Sequence, residues 1–130
     1  MPGGEMFSSR QRADIQRAVE VAEGESGLAF AVHVSRLDDT DPRADAVRAH
    51  AAAGAPASLV LVAVDPVGRH LEIVTGSTAR RFLDDRSCWL AGLSMTSSFR
   101  AGDLVGGLLA GIRSLSDHAR HPRTLHLHRD

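Results

Sequence analysis

The sequence predicts an α/β domain in which a mixed central β-sheet of three to four strands, one hairpin among them, is sandwiched by helices. One observation is the run from Leu59 to Val64, which is apolar on both faces, as in a strand covered on both sides. A second is that segments with helical spacing of apolar residues alternate with short strand-like runs. A third is size, because 130 residues with 43% hydrophobic and 24% charged side chains are enough for one packed core.

The first helix and the first strand are marked by the residues at their ends. Ser8 followed by Gln11 has the spacing of a capping box, which predicts a helix start. Gly24 and Gly27 predict the end of that helix. Residues 28–34 then alternate in a β-compatible pattern, which predicts a strand with one apolar side.

Cap and turn residues organise the middle of the chain. Asp41 at an N-cap, with Pro42 at the first helical position, predicts a second helix that stops at Gly54. Residues 65–68 (Asp-Pro-Val-Gly) have turn chemistry, with a glycine free to adopt positive φ. The strand at 69–75 is therefore expected to return antiparallel, which makes the sheet mixed.

The rest of the chain predicts two more helices and a tail. Apolar spacing places the helices at about 84–96 and about 100–117. Residues 119–130 are rich in arginine and histidine and are expected to form a flexible tail, as are residues 1–7 at the other end. The predicted domain covers residues 8–118.

Composition excludes several classes of function. Fifteen basic and sixteen acidic residues give a formal net charge of −1, so no electropositive face for nucleic acid is expected. The single cysteine, Cys88, cannot form an internal disulfide, which favours a reducing compartment. No apolar run is long enough to span a membrane and the amino terminus is unlike a signal peptide, so a cytoplasmic protein is expected.

Short steps along the chain have a recognisable order. Residues 82–85 read Phe-Leu-Asp-Asp before a helix, and residues 99–103 read Phe-Arg-Ala-Gly-Asp before a glycine-rich helix. With Ser26-Gly27 before the first strand and Glu72 in the third, this order resembles the TPM family, named for a thylakoid-lumen phosphatase and its relatives. The resemblance covers about residues 8–118. It implies a helix-covered mixed sheet and, in some relatives, a divalent cation or acid phosphatase activity at carboxylates near the sheet edge.

The chain departs from the family pattern at three places. An Asp-Asn-Gly-like step before the central strand is replaced by residues 55–58 (Ala-Pro-Ala-Ser). A Gly-aromatic-Gly turn after the third strand is replaced by residues 74–76 (Val-Thr-Gly), and the chain has no tyrosine. The spacing from Glu72 leaves open whether Asp84 or Asp85 matches the family's acidic position. These departures indicate a relative that has lost part of the family's site.

Acidic residues at helix starts are the candidate metal ligands. They are Asp84, Asp85 and Asp103. With a carbonyl from the Thr75-Gly76 turn they would offer Ca²⁺ or Mg²⁺ the oxygen ligands that hard cations prefer. Arg100 offers a planar fork to phosphate, which makes it the candidate catalytic residue and, with Thr75 and Gly76, a candidate ligand-binding residue. The alternative is that the acids only cap helices and that Arg100 pairs with Asp103.

Other polar residues favour structural roles. Cys88 in an apolar helical pattern is expected to be a buried structural thiol, and His33 and His70 are expected to be strand-face residues. Glycines between Gly102 and Gly111 are expected to lie within a helix and to permit close packing. The histidines of the tail are expected to bind Zn²⁺ or Ni²⁺ only adventitiously; they are His118, His121, His126 and His128.

These observations favour a TPM-like module without catalytic activity that binds a protein or a small-molecule ligand. The alternative is a divalent-metal-dependent phosphatase that acts on phosphomonoesters, with Asp85 and Asp103 as metal ligands and Arg100 as the phosphate clamp.

Overall fold

The computed structural model describes residues 7–54 and 56–120, the last of these by its backbone only. The elements follow in the order α1 (Ser9–Ser26), β1 (Ala29–Val34), α2 (Pro42–Ala52), β2 (Leu59–Asp65), β3 (His70–Thr75), a 3₁₀ turn (Ala79–Arg81), α3 (Asp85–Arg100) and α4 (Leu104–Arg120). The predicted α/β class with a mixed, helix-covered sheet and one hairpin is confirmed. The described sheet has three strands.

The sheet has the order β1-β2-β3, with β2 in the centre. β1 runs parallel to β2, which places Val32 opposite Val62, and β3 runs antiparallel, which places Ile73 opposite Val62. Every residue of β2 is buried. The apolar run that predicted a strand covered on both faces therefore occupies that position, and β3 forms one edge of the sheet.

The helices divide unequally between the two faces of the sheet. Three helices, α1, α3 and α4, build the larger core, which includes Val60, Val62 and Val64 of β2 together with Met95 and Leu108. The opposite face is covered by α2; its smaller core comprises Leu37, Ala46, Leu61, Ala63 and Val74. Leu71 and Ile73 of β3 point toward the larger core, as the two-residue repeat of a strand requires.

Local capping chemistry agrees with the sequence at the first two helices. Ser8 and Gln11 form a reciprocal capping box, and Gly27 ends α1 in the left-handed conformation with φ of 77°. Asp41 accepts a hydrogen bond from the N–H of Ala44 at the start of α2. These signals are confirmed, whereas Gly24, which the sequence also placed at the end of the first helix, lies within α1.

The hairpin differs from the prediction in which residue takes the positive φ. Arg69, not Gly68, has a positive φ, of 62°. Gly68 is needed for space, because a Cβ at this position would lie 2.5 Å from Oδ2 of Asp65. The Asp65 side chain therefore shapes the turn and leaves the unfavourable backbone conformation to the next residue.

The boundary between α3 and α4 also differs. α3 continues through Arg100, which the sequence had placed at the start of the last helix, and α4 begins only at Leu104. Gly102 lies in the turn between them with φ of 87°, so its predicted place within a helix was wrong. The predicted ion pair between Arg100 and Asp103 is not present among the ion pairs of the described residues.

Two predicted boundaries of the domain move outward. Phe7 and Ala119, which the sequence assigned to flexible ends, are each 6% exposed and belong to the larger core. The remainder of the predicted flexible ends, residues 1–6 and 121–130, lies outside the described residues. In the described part of the chain, no helix combines the length and the apolar character needed to cross a membrane.

Candidate functional site

An open cleft of about 730 Å³ lies where the free side of β3 meets α3, and we call it the edge cleft. Its floor is formed by Leu71, Ile73 and Thr75, its apolar wall by Trp89 and Leu93, and its basic residues are Arg43 and Arg80. Thr75 and Asp85, which the sequence singled out, both line it. The edge cleft is therefore the place where the structure brings predicted site residues together.

The floor of the edge cleft is an unpaired side of a strand. The N–H of Gly76 donates to the carbonyl of Leu59. In an antiparallel pair, the backbone N–H and C=O groups of successive residues point alternately toward and away from the neighbouring strand, so those of every second β3 residue point away from β2. The residues whose backbone groups point into the cleft are Leu71, Ile73 and Thr75. Among the described residues, none accepts a hydrogen bond from their N–H groups.

Two arginines bond to the outward carbonyls of this edge. Nη1 of Arg43 on α2 donates to the carbonyl of Ile73 at 2.7 Å, and Nη2 of Arg80 donates to the carbonyl of Thr75 at 3.0 Å. Arg43 also lies 3.4 Å from the carboxylate of Glu72. No carboxylate of the described residues lies within ion-pair distance of Arg80. The edge is thus polar and carries one positive charge that is not neutralised locally.

The wall of the edge cleft is an exposed apolar strip of α3. Trp89, the only tryptophan of the chain, is 61% exposed, and Leu93 is 50% exposed one helical turn later. Gly92 lies between them in the sequence and faces Leu71 of β3, where a Cβ would be in ordinary van der Waals contact at 3.9 Å. Large apolar side chains at this exposure, next to an open strand edge, are typical of interaction surfaces.

Cys88 lies in the same wall and is only partly buried, whereas the sequence predicted a buried thiol. Burial, and then the negative charges of Asp85 and Asp84, raise the pKa of its thiol to about 11. At neutral pH the sulfur is therefore protonated and is a poor nucleophile. Its contribution to the site is apolar contact.

The candidate metal ligands do not converge. Asp84 caps α3 by accepting from the N–H of Ser87 at 2.8 Å, and Asp103 accepts from the N–H of Gly106 at 2.9 Å before α4. The two caps lie beyond opposite ends of the 16-residue helix α3, whose length is about 24 Å. Asp84, Asp85 and Asp103 therefore cannot share one cation, and the capping alternative describes Asp84 and Asp103.

The other predicted ligands are also separated or already bonded. The carbonyl of Thr75 accepts from the side chain of Arg80, and the carbonyl of Gly76 accepts from its backbone N–H at 2.9 Å. Arg100 is exposed at the carboxyl end of α3 and does not line the edge cleft. The predicted set of Arg100 with Thr75 and Gly76 is thus not a single site, and Arg80, which the sequence analysis did not single out, takes the position beside the turn.

A cluster that the sequence did not predict lies at the carboxyl end of β2. Donor atoms of Asp39, Asp65 and His70 lie within 4.8 Å of one another, and among the described residues this is the one group with metal-binding spacing. Nε2 of His70 is 2.8 Å from Oδ1 of Asp39. The available signal was the aspartate that directly follows the apolar run of β2, because side chains at such strand ends converge at one edge of a sheet.

Asp65 in this cluster already has hydrogen-bond partners. Its carboxylate accepts from the backbone N–H groups of Leu37 and Gly68 at 2.9 and 2.8 Å, and from Nε of Arg36 at 3.2 Å. Burial raises the pKa of Asp65, but these three bonds outweigh it and hold the pKa below its ordinary value. We therefore interpret Asp65 as a buried anchor that ties the loop after β1 to the hairpin.

A second depression, of about 1030 Å³, lies between α1 and α4. It is larger than the edge cleft, but its walls are two helices with no strand edge, and none of the site residues predicted from the sequence lines it. The edge cleft is accordingly the better candidate, because it joins an unpaired backbone, exposed apolar side chains and an unneutralised charge.

Comparisons with known proteins agree on the fold. The N-terminal domain of the cg2496 protein from Corynebacterium glutamicum, determined by NMR, has a TM-score of 0.73 and 22% identity, and the match covers 88% of this chain and 74% of that domain. The NMR structure of the BA42 protein from the psychrophilic bacterium Bizionia argentinensis has a TM-score of 0.76 and 18% identity, with 89% of this chain and 83% of that one covered. At such identities the likeness extends to the fold alone.

No curated protein matches the chain. The family described as "Domain of unknown function (DUF5130)" matches residues 2–116, which is most of the sequence. The chain therefore belongs to this family, DUF5130.

Proposed function

We propose that this chain is a non-catalytic binding module that holds a partner protein in the edge cleft. The main support for this proposal is that Trp89 and Leu93 are exposed beside an unpaired strand edge. Aromatic and aliphatic side chains that are exposed to water are unfavourable, and a partner that covers them gains the free energy of apolar burial.

The absence of a converging polar set among the predicted residues supports binding over chemistry. Phosphoryl transfer depends on several charged groups that surround one phosphate. Here Asp85 lies at one end of α3 and Arg100 at the other, and the Cys88 thiol is protonated at neutral pH. The phosphatase alternative and the resemblance to the TPM family stay predictions from the order of residues along the chain.

The proposal is tested by selecting binders from a random dodecapeptide library displayed on phage, with the folded protein as bait. Leu93→Glu places a charge in the apolar wall. Val21→Glu is the matched control, because Val21 on α1 is 52% exposed and lies outside the edge cleft. We expect peptides selected on the wild type to bind the Val21→Glu variant equally and to lose at least about tenfold in affinity for Leu93→Glu.

Two outcomes would refute the proposal. Selection that enriches no common peptide pattern over the background would remove the basis for a peptide-binding cleft. Peptides that bind the Leu93→Glu and wild-type proteins alike, with both proteins equally folded by circular dichroism, would place the binding surface elsewhere.

A further inference from the structure

We infer that the segment held in the edge cleft is an extended one that adds to β3 as a fourth strand, with apolar side chains toward α3 and an acidic residue beside Arg80. This inference rests on the proposed function and specifies the chemistry and geometry of its partner. It is distinct from contact through side chains alone, because here the backbone of the partner supplies the hydrogen bonds.

The outward side of β3 carries regularly spaced backbone donors. Leu71, Ile73 and Thr75 present their N–H groups outward at every second residue, a repeat of about 7 Å. This spacing matches the carbonyl groups of an extended chain. No described residue occupies these donors, so an added strand finds them available.

An incoming strand can displace the two arginines from the carbonyl groups of β3. Arg43 and Arg80 are exposed side chains whose heads occupy the carbonyls of Ile73 and Thr75. Charged side chains commonly shield the edges of sheets in this manner. Because exposed arginine contacts contribute little free energy, N–H groups of a partner strand can replace them at small cost.

Charge complementarity identifies the end residue of the partner. Arg43 has Glu72 as its counter-ion, but Arg80 has no carboxylate among the described residues within ion-pair distance. Once displaced from the carbonyl of Thr75, the Arg80 guanidinium remains beside the end of the added strand, next to the residue opposite Gly76 and one position beyond the residue that pairs with Thr75. An acidic side chain at that position gains a charge-assisted hydrogen bond.

The side-chain pattern follows from the two faces of the sheet. Successive residues of a strand point to opposite faces. One set therefore contacts Trp89 and Leu93, and the other set points away from α3 toward the face that α2 covers. The partner is accordingly expected to alternate apolar with polar residues.

A second copy of this chain fits the cleft less well than a single extended segment. The edge of β3 is flanked by Trp89 and Leu93 of α3 on one side and by Arg43 of α2 on the other. A second copy paired through its own β3 would bring its own flanking helices into the space that these side chains occupy. A segment without helices avoids that conflict.

The test uses synthetic heptapeptides with blocked ends. The probe is Glu-Val-Thr-Val-Thr-Val-Glu, and the controls are the shuffled Glu-Val-Val-Thr-Thr-Val-Glu and a version with lysine in place of both glutamates. Amide hydrogen exchange of the protein is followed by NMR. We expect the probe alone to slow exchange at the amides of Leu71, Ile73 and Thr75 by about tenfold or more.

N-methylation of the probe tests the backbone contacts directly, because it removes individual donors. One peptide is methylated at every valine nitrogen and the other at every threonine nitrogen. In antiparallel addition the valine nitrogens face β3, and in parallel addition the threonine nitrogens do. One methylated peptide should therefore lose binding while the other retains it, and either result supports strand addition.

Charge is tested on the protein side with Arg80→Gln, for which Arg86→Gln is the control, since Arg86 is an exposed arginine of α3 outside the cleft. We expect Arg80→Gln to weaken binding of the probe about tenfold and to remove its advantage over the lysine version, while Arg86→Gln changes neither.

Each of several results would overturn the inference. One is equal binding of the probe and the shuffled peptide, and another is that both methylated peptides lose binding or both retain it. The others are no response to any heptapeptide, and a free protein that is dimeric by light scattering with these three amides already protected. Perturbation of Trp89 without protection of the β3 amides would also overturn it while leaving the proposed function intact. Failure of the phage selection would instead reject the proposed function itself.

Discussion

Several side chains in this domain form hydrogen bonds with backbone groups of other segments. Asp65 is fully buried, yet it accepts from two backbone N–H groups of separate loops and from one arginine. Arg43 and Arg80 do the reverse and donate to carbonyls of an open strand. The first arrangement is internal and stabilises the fold, whereas the second lies in the edge cleft and is exposed to replacement by a partner.

Asp65→Asn should destabilise the protein by about 2 kcal/mol at neutral pH, because the amide cannot accept all three hydrogen bonds and no longer neutralises Arg36. The pKa of Asp65 is lowered in the folded state. Its contribution to the free energy of unfolding is therefore complete above the ordinary carboxyl pKa of about 3.9 and declines as the pH falls through the lower folded value. Urea titrations of both proteins at a series of pH values measure this. A difference in stability that grows below pH 4 would contradict the role given to Asp65.

The Cys88 thiol should be alkylated slowly at neutral pH. Its pKa of about 11 leaves roughly a hundredfold less thiolate than an ordinary cysteine has. The rate of reaction with iodoacetamide is expected to rise about tenfold per pH unit up to near pH 10. Asp85→Asn removes a negative charge, lowers the pKa and should speed the reaction. A rate that levels off just above pH 9, as for a cysteine of ordinary pKa, would show that the thiol is not perturbed.

At the scale of helices and strands, local signals predicted most boundaries. Ser8 with Gln11, Asp41 with Pro42, and the apolar run of β2 each depend on residues within a few positions, and the structure confirms all three elements. These features are predictable because their hydrogen bonds close within the element or within one turn.

The break between α3 and α4 could not be placed correctly from such signals. Arg100 has good helix propensity and can therefore extend a helix or begin one. The packing of Met95 on α3 against Gly111 on α4 determines where the two helices cross. The edge cleft was missed for a related reason. Trp89 and Leu93 have the spacing of a core-facing strip, and only the tertiary structure shows that this strip extends beyond β3.

Asp103 provides a test that separates capping from cation binding. Asp103→Ala should cost about 1 kcal/mol, and Asp103→Asn much less, because asparagine also accepts the hydrogen bond from the N–H of Gly106. Thermal unfolding of the three proteins with and without millimolar Ca²⁺ measures both effects. If Ca²⁺ raised the melting temperature of the wild type and not of Asp103→Asn, the residue would have to be a metal ligand.

The stability of the whole molecule depends on the central strand of its three-stranded sheet. β2 is buried along its entire length and pairs on both sides, whereas β3 is paired on one side only. A three-stranded sheet that is covered on both faces still has open sides. In this chain, the side formed by β3 opens into the edge cleft between α2 and α3.

Val62→Asp should therefore unfold the domain or destabilise it by more than about 4 kcal/mol, because it buries an unpaired charge in the larger core. Val47→Asp is the matched control. Val47 on α2 is 46% exposed, so its replacement should change the free energy of unfolding by no more than about 0.5 kcal/mol. Circular dichroism and urea unfolding compare the two, and a folded Val62→Asp protein of normal stability would disprove the central position of β2.

The fluorescence of Trp89 shows whether a partner segment covers the edge cleft. This side chain is the only tryptophan of the chain, and it lines the cleft while 61% exposed, so its emission reports burial at this site alone. Titration with a tryptophan-free peptide from the phage selection should move the emission maximum to shorter wavelength as the indole leaves water, with saturation at the same peptide concentration as binding measured by calorimetry. Binding by calorimetry with an unchanged Trp89 emission would contradict the account, because the partner would then occupy another surface.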